Sequence, residues 1–170
     1  MIAVVIGVVA LIANSGSHET APTTQNPPVF VNKDASQLVL TLADLANLKE
    51  QRWKQTESKP SSVADAQSAY EVHFDKETFV GYGTYQQAIG NEVAVFPTIE
   101  VAKAVYTREK NTDWHSDIVE KSDIGDEAFW VGGIGQRLIF RRANVVVWLA
   151  LSFGGDIESF AAVIEKKIAQ

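Results

Sequence analysis

The chain has 170 residues, 46% of them hydrophobic and 21% charged, a composition that suits one globular domain with appendages rather than a disordered or fibrous protein. Fifteen basic residues against 21 acidic ones give a formal net charge of −6 and a pI near 5.0; basic residues cluster no further than pairs such as Arg141-Arg142, which excludes nucleic acid as a partner. The absence of cysteine excludes disulfides, thiol catalysis, thiolate metal sites and the lipid-modified cysteine of a bacterial lipoprotein, while leaving the compartment open.

Residues Ile2 to Ala13, IAVVIGVVALIA, are unbroken apolar sequence, followed at once by the polar tract NSGSHETAPTTQNPP. The run is shorter than the roughly 20 residues that span a bilayer, but it fits the roughly 7 to 15 of a signal-peptide hydrophobic region. It lacks a positive n-region, since only Met1 precedes it. Two readings stand: a signal sequence or membrane anchor whose start lies further upstream, or a buried strand of the domain. The first is preferred, because a polar, Pro-containing tract does not continue a core. It implies an extracytoplasmic domain, secreted or membrane-anchored, that touches the membrane only through this segment. The chain then divides into the apolar segment 1–13, a flexible polar linker 14–36 and a single α+β domain 37–170.

From Gln37 the pattern is globular. Leu38, Val39 and Leu40 form a short apolar run, and Thr41-Leu42-Ala43-Asp44 reads as a capping box opening a helix from Leu42 to Leu48, with Leu42, Leu45 and Leu48 on its buried side. A strand from Arg52 to Glu57 carries Trp53 and ends in a Lys59-Pro60-Ser61-Ser62 loop. Ser68 to Asp75 alternates, with Tyr70, Val72 and Phe74 facing in and His73 facing solvent. Phe79 to Ala88 and Glu92 to Phe96 flank Ile89-Gly90-Asn91, whose turn-forming composition predicts a hairpin there; Gly81 and Gly83 suggest a bulge or a close neighbour.

Thr98 caps a helix from Ile99 to Lys110 whose apolar stripe is Ile99, Ala102, Val105 and Tyr106. Strands follow at His115 to Glu120 and Glu127 to Val131, and the glycines Gly132, Gly133 and Gly135 turn the chain toward Arg137 to Arg141. In that strand Leu138 and Phe140 oppose Arg137, Ile139 and Arg141. Arg142-Ala143-Asn144 is a turn in which Asn144 suits positive φ. Val145 to Phe153 is apolar on both faces, which predicts an interior strand covered on both sides. Gly154-Gly155-Asp156 leads into a last helix, Ile157 to Ala169, burying Ile157, Phe160, Ala161, Ile164 and Ile168.

No G-x-S-x-G, P-loop, H-E-x-x-H or EF-hand pattern is present, so no catalytic residue, cofactor or metal site is assigned. His18, His73 and His115 are widely separated and read as surface residues, and Asp123, Asp126 and Glu127 read as a solvated turn. Candidate ligand-binding residues are the aromatics Tyr82, Tyr85, Trp114 and Trp130, with Arg137 and Arg141 as a small cationic patch; the competing reading is core packing for the aromatics and local ion pairs for the arginines.

The series helix, strands, hairpin, helix, strands, with D-I-G-D-E-A-F at 123–129, L-I-F-R-R-A-N-V-V-V at 138–147 and a final helix, resembles small extracytoplasmic α/β/α sandwiches. These include the PsbP-like extrinsic proteins of photosystem II and the extracellular sensor domains of some actinobacterial serine/threonine kinases. The resemblance spans about Gln37 to Gln170 and implies a mainly antiparallel sheet of six to eight strands with helices on its faces, exported, and used for binding or assembly. The chain departs from the sensor domains in lacking cysteine. The leading expectation is a tethered extracytoplasmic binding or accessory module whose ligand is an unidentified protein or small molecule. A hydrolase-like enzyme with a nonstandard site and a structural envelope component are the alternatives.

Overall fold

A computed structural model describes residues 30–49, 52–81, 83–133 and 135–170; the apolar segment 1–13, most of the polar linker, Tyr82 and the middle of the glycine turn lie outside them. Seven strands form one antiparallel sheet in the order β1-β2-β3-β7-β6-β5-β4: β1 Lys54–Pro60, β2 Ser68–Val80, β3 Gly83–Val95, β4 Ile118–Lys121, β5 Glu127–Val131, β6 Gln136–Arg142 and β7 Val145–Leu151. Helices α1 Leu42–Asn47 and α3 Ile157–Ala169 pack on one face and α2 Ile99–Lys110 on the other, an α+β sandwich.

The apolar strand β7 is the fourth of the seven, and alternation divides it between two cores. Val145, Val147, Leu149 and Leu151 join Leu38, Leu45, Phe160 and Ile164 beneath α1 and α3. Val146 points the other way and joins Ala102, Val105, Tyr106, Phe129 and Ile139 beneath α2, where Tyr106 and Phe129 meet edge to face at 5.5 Å. The caps act locally: Thr41 and Asp44 form a reciprocal capping box, Thr98 accepts from Val101 N, and Asp156 accepts from Glu158 N and Ser159 N.

Several boundaries differ from the sequence reading. Residues 30–36, assigned by composition to the linker, contribute Val31 and Ala35 to the core. Leu42 is exposed and only Leu45 of α1 is buried, because so short a helix meets the core through one position. Trp53 is buried but precedes β1, and Lys59 and Pro60 belong to the strand; β1 is an edge strand, where proline removes no ladder bond. The fourth strand begins only at Ile118, and β7 ends at Leu151 with Phe153 exposed.

The largest correction concerns Ile89-Gly90-Asn91. These residues do not turn: they lie in the middle of β3, paired on one side with His73 and its neighbours and on the other with β7. The turn instead follows Val80, which pairs with Gly83, and Gly81 takes φ 61°. Ile89 and Asn91 face the α3-side core, and the buried Asn91 amide oxygen accepts from Leu40 N at 2.9 Å, so a turn-former here anchors a distant segment. Between β6 and β7 it is Ala143, not Asn144, that has positive φ, at 52°. Asp126 holds Ala143 by accepting from its N–H at 2.8 Å, while the Asn144 side chain turns inward to bond the backbone of Val31 and Phe96.

Candidate functional site

Helix α2 covers only one end of its sheet face. Its apolar residues pack over Ala94, Val146 and Ile139, and beyond Trp148 the strands are uncovered. The register aligns His73, Gly90, Ala150 and Arg137 in a row across β2, β3, β7 and β6, next to a row of Glu71, Glu92, Trp148 and Ile139. Gly90 and Ala150 carry almost no side chain, so the middle of this surface is low and an open groove of about 230 Å³ runs over it.

The two walls differ in charge. On one side Trp114, placed just past the end of α2, donates its indole N–H to Glu109 O at 2.8 Å and packs against Phe129. The Arg137 guanidinium lies 5.4 Å from the Trp114 ring centre, a cation-π contact, and makes no ion pair among the described residues. On the other side are Glu71 and His73 of β2, with Glu57 of β1 beyond them.

A β-bulge creates that second wall. Gln55 pairs with Phe74 and Glu57 with His73, so Thr56 is the extra residue on β1. Without it Glu57 would oppose Val72 and point to the other face; with it Glu57 stands directly across from His73. His73 Nε2 then lies 3.8 Å from Glu57 Oε2 and 3.8 Å from Glu71 Oε2. Lys59 binds the other oxygens, pairing with Glu57 Oε1 and lying 2.9 Å from Glu71 Oε1. The Lys59 ammonium holds the Glu57 carboxyl below the usual carboxylate range, and the two glutamates in turn raise the Lys59 pKa. The imidazole ring rests on Gly90: a Cβ there would come 3.4 Å from His73 Cε1.

Of the residues singled out from sequence, Trp114 and Arg137 meet in this groove. Tyr85 is exposed on the projecting β2–β3 hairpin and shares its face with Ile89 and Asn91, opposite the groove. Trp130 also faces the other side, packing against the α3-side core. Arg141 points to the groove's face but is buried at the α2 end, bonded to Asp126, Glu127 and Ala143 O, so it forms no cationic patch with Arg137. Tyr82 lies outside the described residues. Sequence reasoning missed Trp148, Glu57 and Glu71, and read His73 as an isolated surface residue. Only the alternation of β2 hinted at the Glu71–His73 pair.

A second cavity, of about 380 Å³, lies at the β1–β2 loop and is lined by Asp34, Ser61, Ser62, Gln67 and Ser68 among others. Two of its polar side chains are engaged in holding the fold, while the buried Ser61 Oγ has no hydrogen-bond partner among the described residues. Ser68 Oγ accepts from Ala35 N, and Asp34 caps the turn at Ser36, which holds its carboxyl below the ordinary range. It offers no charged pair of opposed sign, so the groove is the better candidate site.

No protein-family model matches the chain, and no curated protein matches it in sequence. Among solved structures, the extracellular domain of PknH from Mycobacterium tuberculosis is similar, with a TM-score of 0.56 and 14% identity over 84% of this chain and 98% of that one. A GTP-binding regulator from Thermotoga maritima gives a TM-score of 0.43 and 13% identity over 74% of this chain and 84% of the other. The likeness to the PknH extracellular domain is one of fold, and at that level the expected similarity to kinase extracellular domains is met.

Proposed function

We propose that the chain is a binding module acting outside the cytoplasm, and that the groove on the α2 face of the sheet takes a small polar ligand. The observation that carries the reading is the groove's construction. Four strands present a low floor between a Trp114–Arg137 wall and a Glu71–His73 wall, a concave surface with a few convergent polar groups. Such a surface suits recognition, with aromatic area from Trp114 and Trp148 and orientation from charges of opposite sign. The compartment is supported by the apolar 2–13 run followed by a polar tract, and by the fold shared with a kinase extracellular domain. Among the described residues no helix is long and apolar enough to cross a membrane.

Tryptophan fluorescence of the full chain, titrated with a panel of small zwitterionic and anionic metabolites, tests the binding reading. A ligand should perturb Trp114 and Trp148, and Ala150→Trp, which fills the groove floor from an exposed position, should abolish the response without unfolding the protein. A response equal in Ala150→Trp would place binding elsewhere. Cell fractionation tests the location: full-length protein found wholly in the cytosol with residues 1–13 retained would end the extracytoplasmic reading.

A further inference from the structure

We infer that Glu57, Glu71 and His73 form a binding site for one divalent transition metal ion, with zinc(II) the best match, set in the β1–β2 wall of the groove. The inference goes beyond the groove's binding of an organic ligand and does not depend on it.

The donor atoms are the starting point. Nε2 of His73 is 3.8 Å from Oε2 of Glu57 and 3.8 Å from Oε2 of Glu71, and the ligand atoms of all three residues lie within 4.8 Å of one another. A tetrahedral zinc with bonds of about 2.0–2.2 Å separates its donors by roughly 3.3–3.6 Å, so the two histidine–carboxylate distances of 3.8 Å need to close by only a few tenths of an ångström. At their present spacing the three atoms are too far apart to hydrogen-bond, and the imidazole Nε2 has no hydrogen-bond partner among the described residues. They face one another across a space that an ion would fill.

The backbone is shaped for this convergence. The bulge at Thr56 swings Glu57 onto the face of His73, and Gly90 leaves the seat on which the imidazole rests. Lys59 engages the Oε1 atoms, which leaves each Oε2 turned toward His73. The two carboxylates and Lys59 together carry one net negative charge, so a dication is attracted, though less than it would be without the lysine. A nitrogen donor in a set of three favours zinc over calcium or magnesium, which prefer all-oxygen shells. The site is open toward the groove, so the fourth position is free for water or for a ligand group.

Calorimetric titration of the metal-free full chain with zinc chloride alone, at about neutral pH, tests the site, with cobalt(II) as a spectroscopic stand-in. One equivalent should bind, and cobalt should show the intense visible absorption of a four-coordinate site with mixed nitrogen and oxygen ligands. His73→Ala and Glu57→Gln should each weaken binding by more than the roughly 10- to 100-fold that loss of an outer-shell partner causes. His115→Ala and His18→Ala should leave it unchanged. Lys59→Met should tighten binding, a gain that a purely structural salt-bridge cluster would not produce. Circular dichroism establishes that each variant is folded, and Glu57→Gln carries the test if His73→Ala is not. Absence of zinc uptake, or uptake of equal affinity in His73→Ala and Glu57→Gln, would overturn the assignment.

Discussion

Asn144 is bonded to both backbone groups of Val31, 113 residues away in sequence: its Oδ1 accepts from Val31 N at 2.8 Å and its Nδ2 donates to Val31 O at 3.1 Å. The same Nδ2 also donates to Phe96 O at 2.8 Å, and the whole side chain is buried. A single carboxamide thus does for residue 31 what a neighbouring strand would do, fastening the start of the described domain to the β6–β7 turn. Asn144→Ala leaves buried donors and acceptors unmatched, which costs about 1–3 kcal/mol for each group left without a partner. Chemical denaturation is expected to show a loss of about 2–4 kcal/mol, and hydrogen exchange should show residues 30–34 losing protection before the sheet does. Equal protection in wild type and variant would refute the clamp.

Gly125 explains the D-I-G-D-E-A-F stretch as architecture. Its φ is +62°, and a Cβ would lie 2.5 Å from the carbonyl oxygen of Arg141, which also accepts from Asp126 N at 2.8 Å. The segment passes that close to β6 so that Asp126 can accept from both the Arg141 guanidinium and Ala143 N. Gly125→Ala combines an unfavourable dihedral with a backbone clash, and should destabilise by about 2–4 kcal/mol. Thermal melting is the check; a melting temperature unchanged from wild type would contradict the close approach.

Features written in adjacent residues were readable from the sequence, and features that depend on register were not. The capping box at Thr41 and Asp44, the caps at Thr98 and Asp156, and the buried stripe of α3 each lie within one or two helical turns, so spacing alone reveals them. The central place of β7 followed from an apolar run that would be hazardous at an edge. Gly90 and Asn91 misled because turn-forming residues also serve close packing and buried hydrogen bonds, and nothing local tells the uses apart. The Glu57–His73 pairing was invisible for a further reason. It rests on the bulge at Thr56, and a one-residue change in register would send Glu57 to the opposite face. Trp114 and Arg137 were selected as recognition residues for their chemistry, but only the sheet order brings them together.

The two arginines of β6 that share a face should behave differently. Arg141 is buried and bonds Asp126 at 2.8 Å, Ala143 O at 2.8 Å and Glu127 at 3.4 Å. Arg137 is exposed, and its guanidinium lies over the Trp114 ring at the groove wall. Arg141→Ala removes packing beneath α2 and frees Asp126, and is expected to cost about 2–4 kcal/mol while leaving the protein able to fold. Arg137→Ala should stay within about 0.5 kcal/mol of wild type. Val147→Asp, which buries a charge in the middle strand, should abolish folding altogether. Urea unfolding of the three variants tests the order, and a folded Val147→Asp protein would refute the central placement of β7.

The acid limit of stability should depend on Asp44. Burial works against its charge, but hydrogen bonds from the Lys167 ammonium, at 2.6 Å, and from Thr41, together with the lysine's charge, hold its pKa below the ordinary value. Lys167 also donates to Val39 O at 2.7 Å, so the pair joins the last turn of α3 to the start of α1. A carboxyl whose folded pKa lies below its unfolded value, about 3.9, stabilises the fold above that value. The contribution is lost as pH falls through the lower, folded pKa. Asp44→Asn removes this charge while keeping a similar shape and part of the cap. It should be less stable than wild type by about 1–2 kcal/mol near neutrality, and the two proteins should converge as pH falls below the folded pKa. Denaturant midpoints measured from about pH 2 to pH 7 decide the matter, because a difference that persisted undiminished at the acid end would assign the effect to the cap's shape and not to the Asp44–Lys167 charge pair.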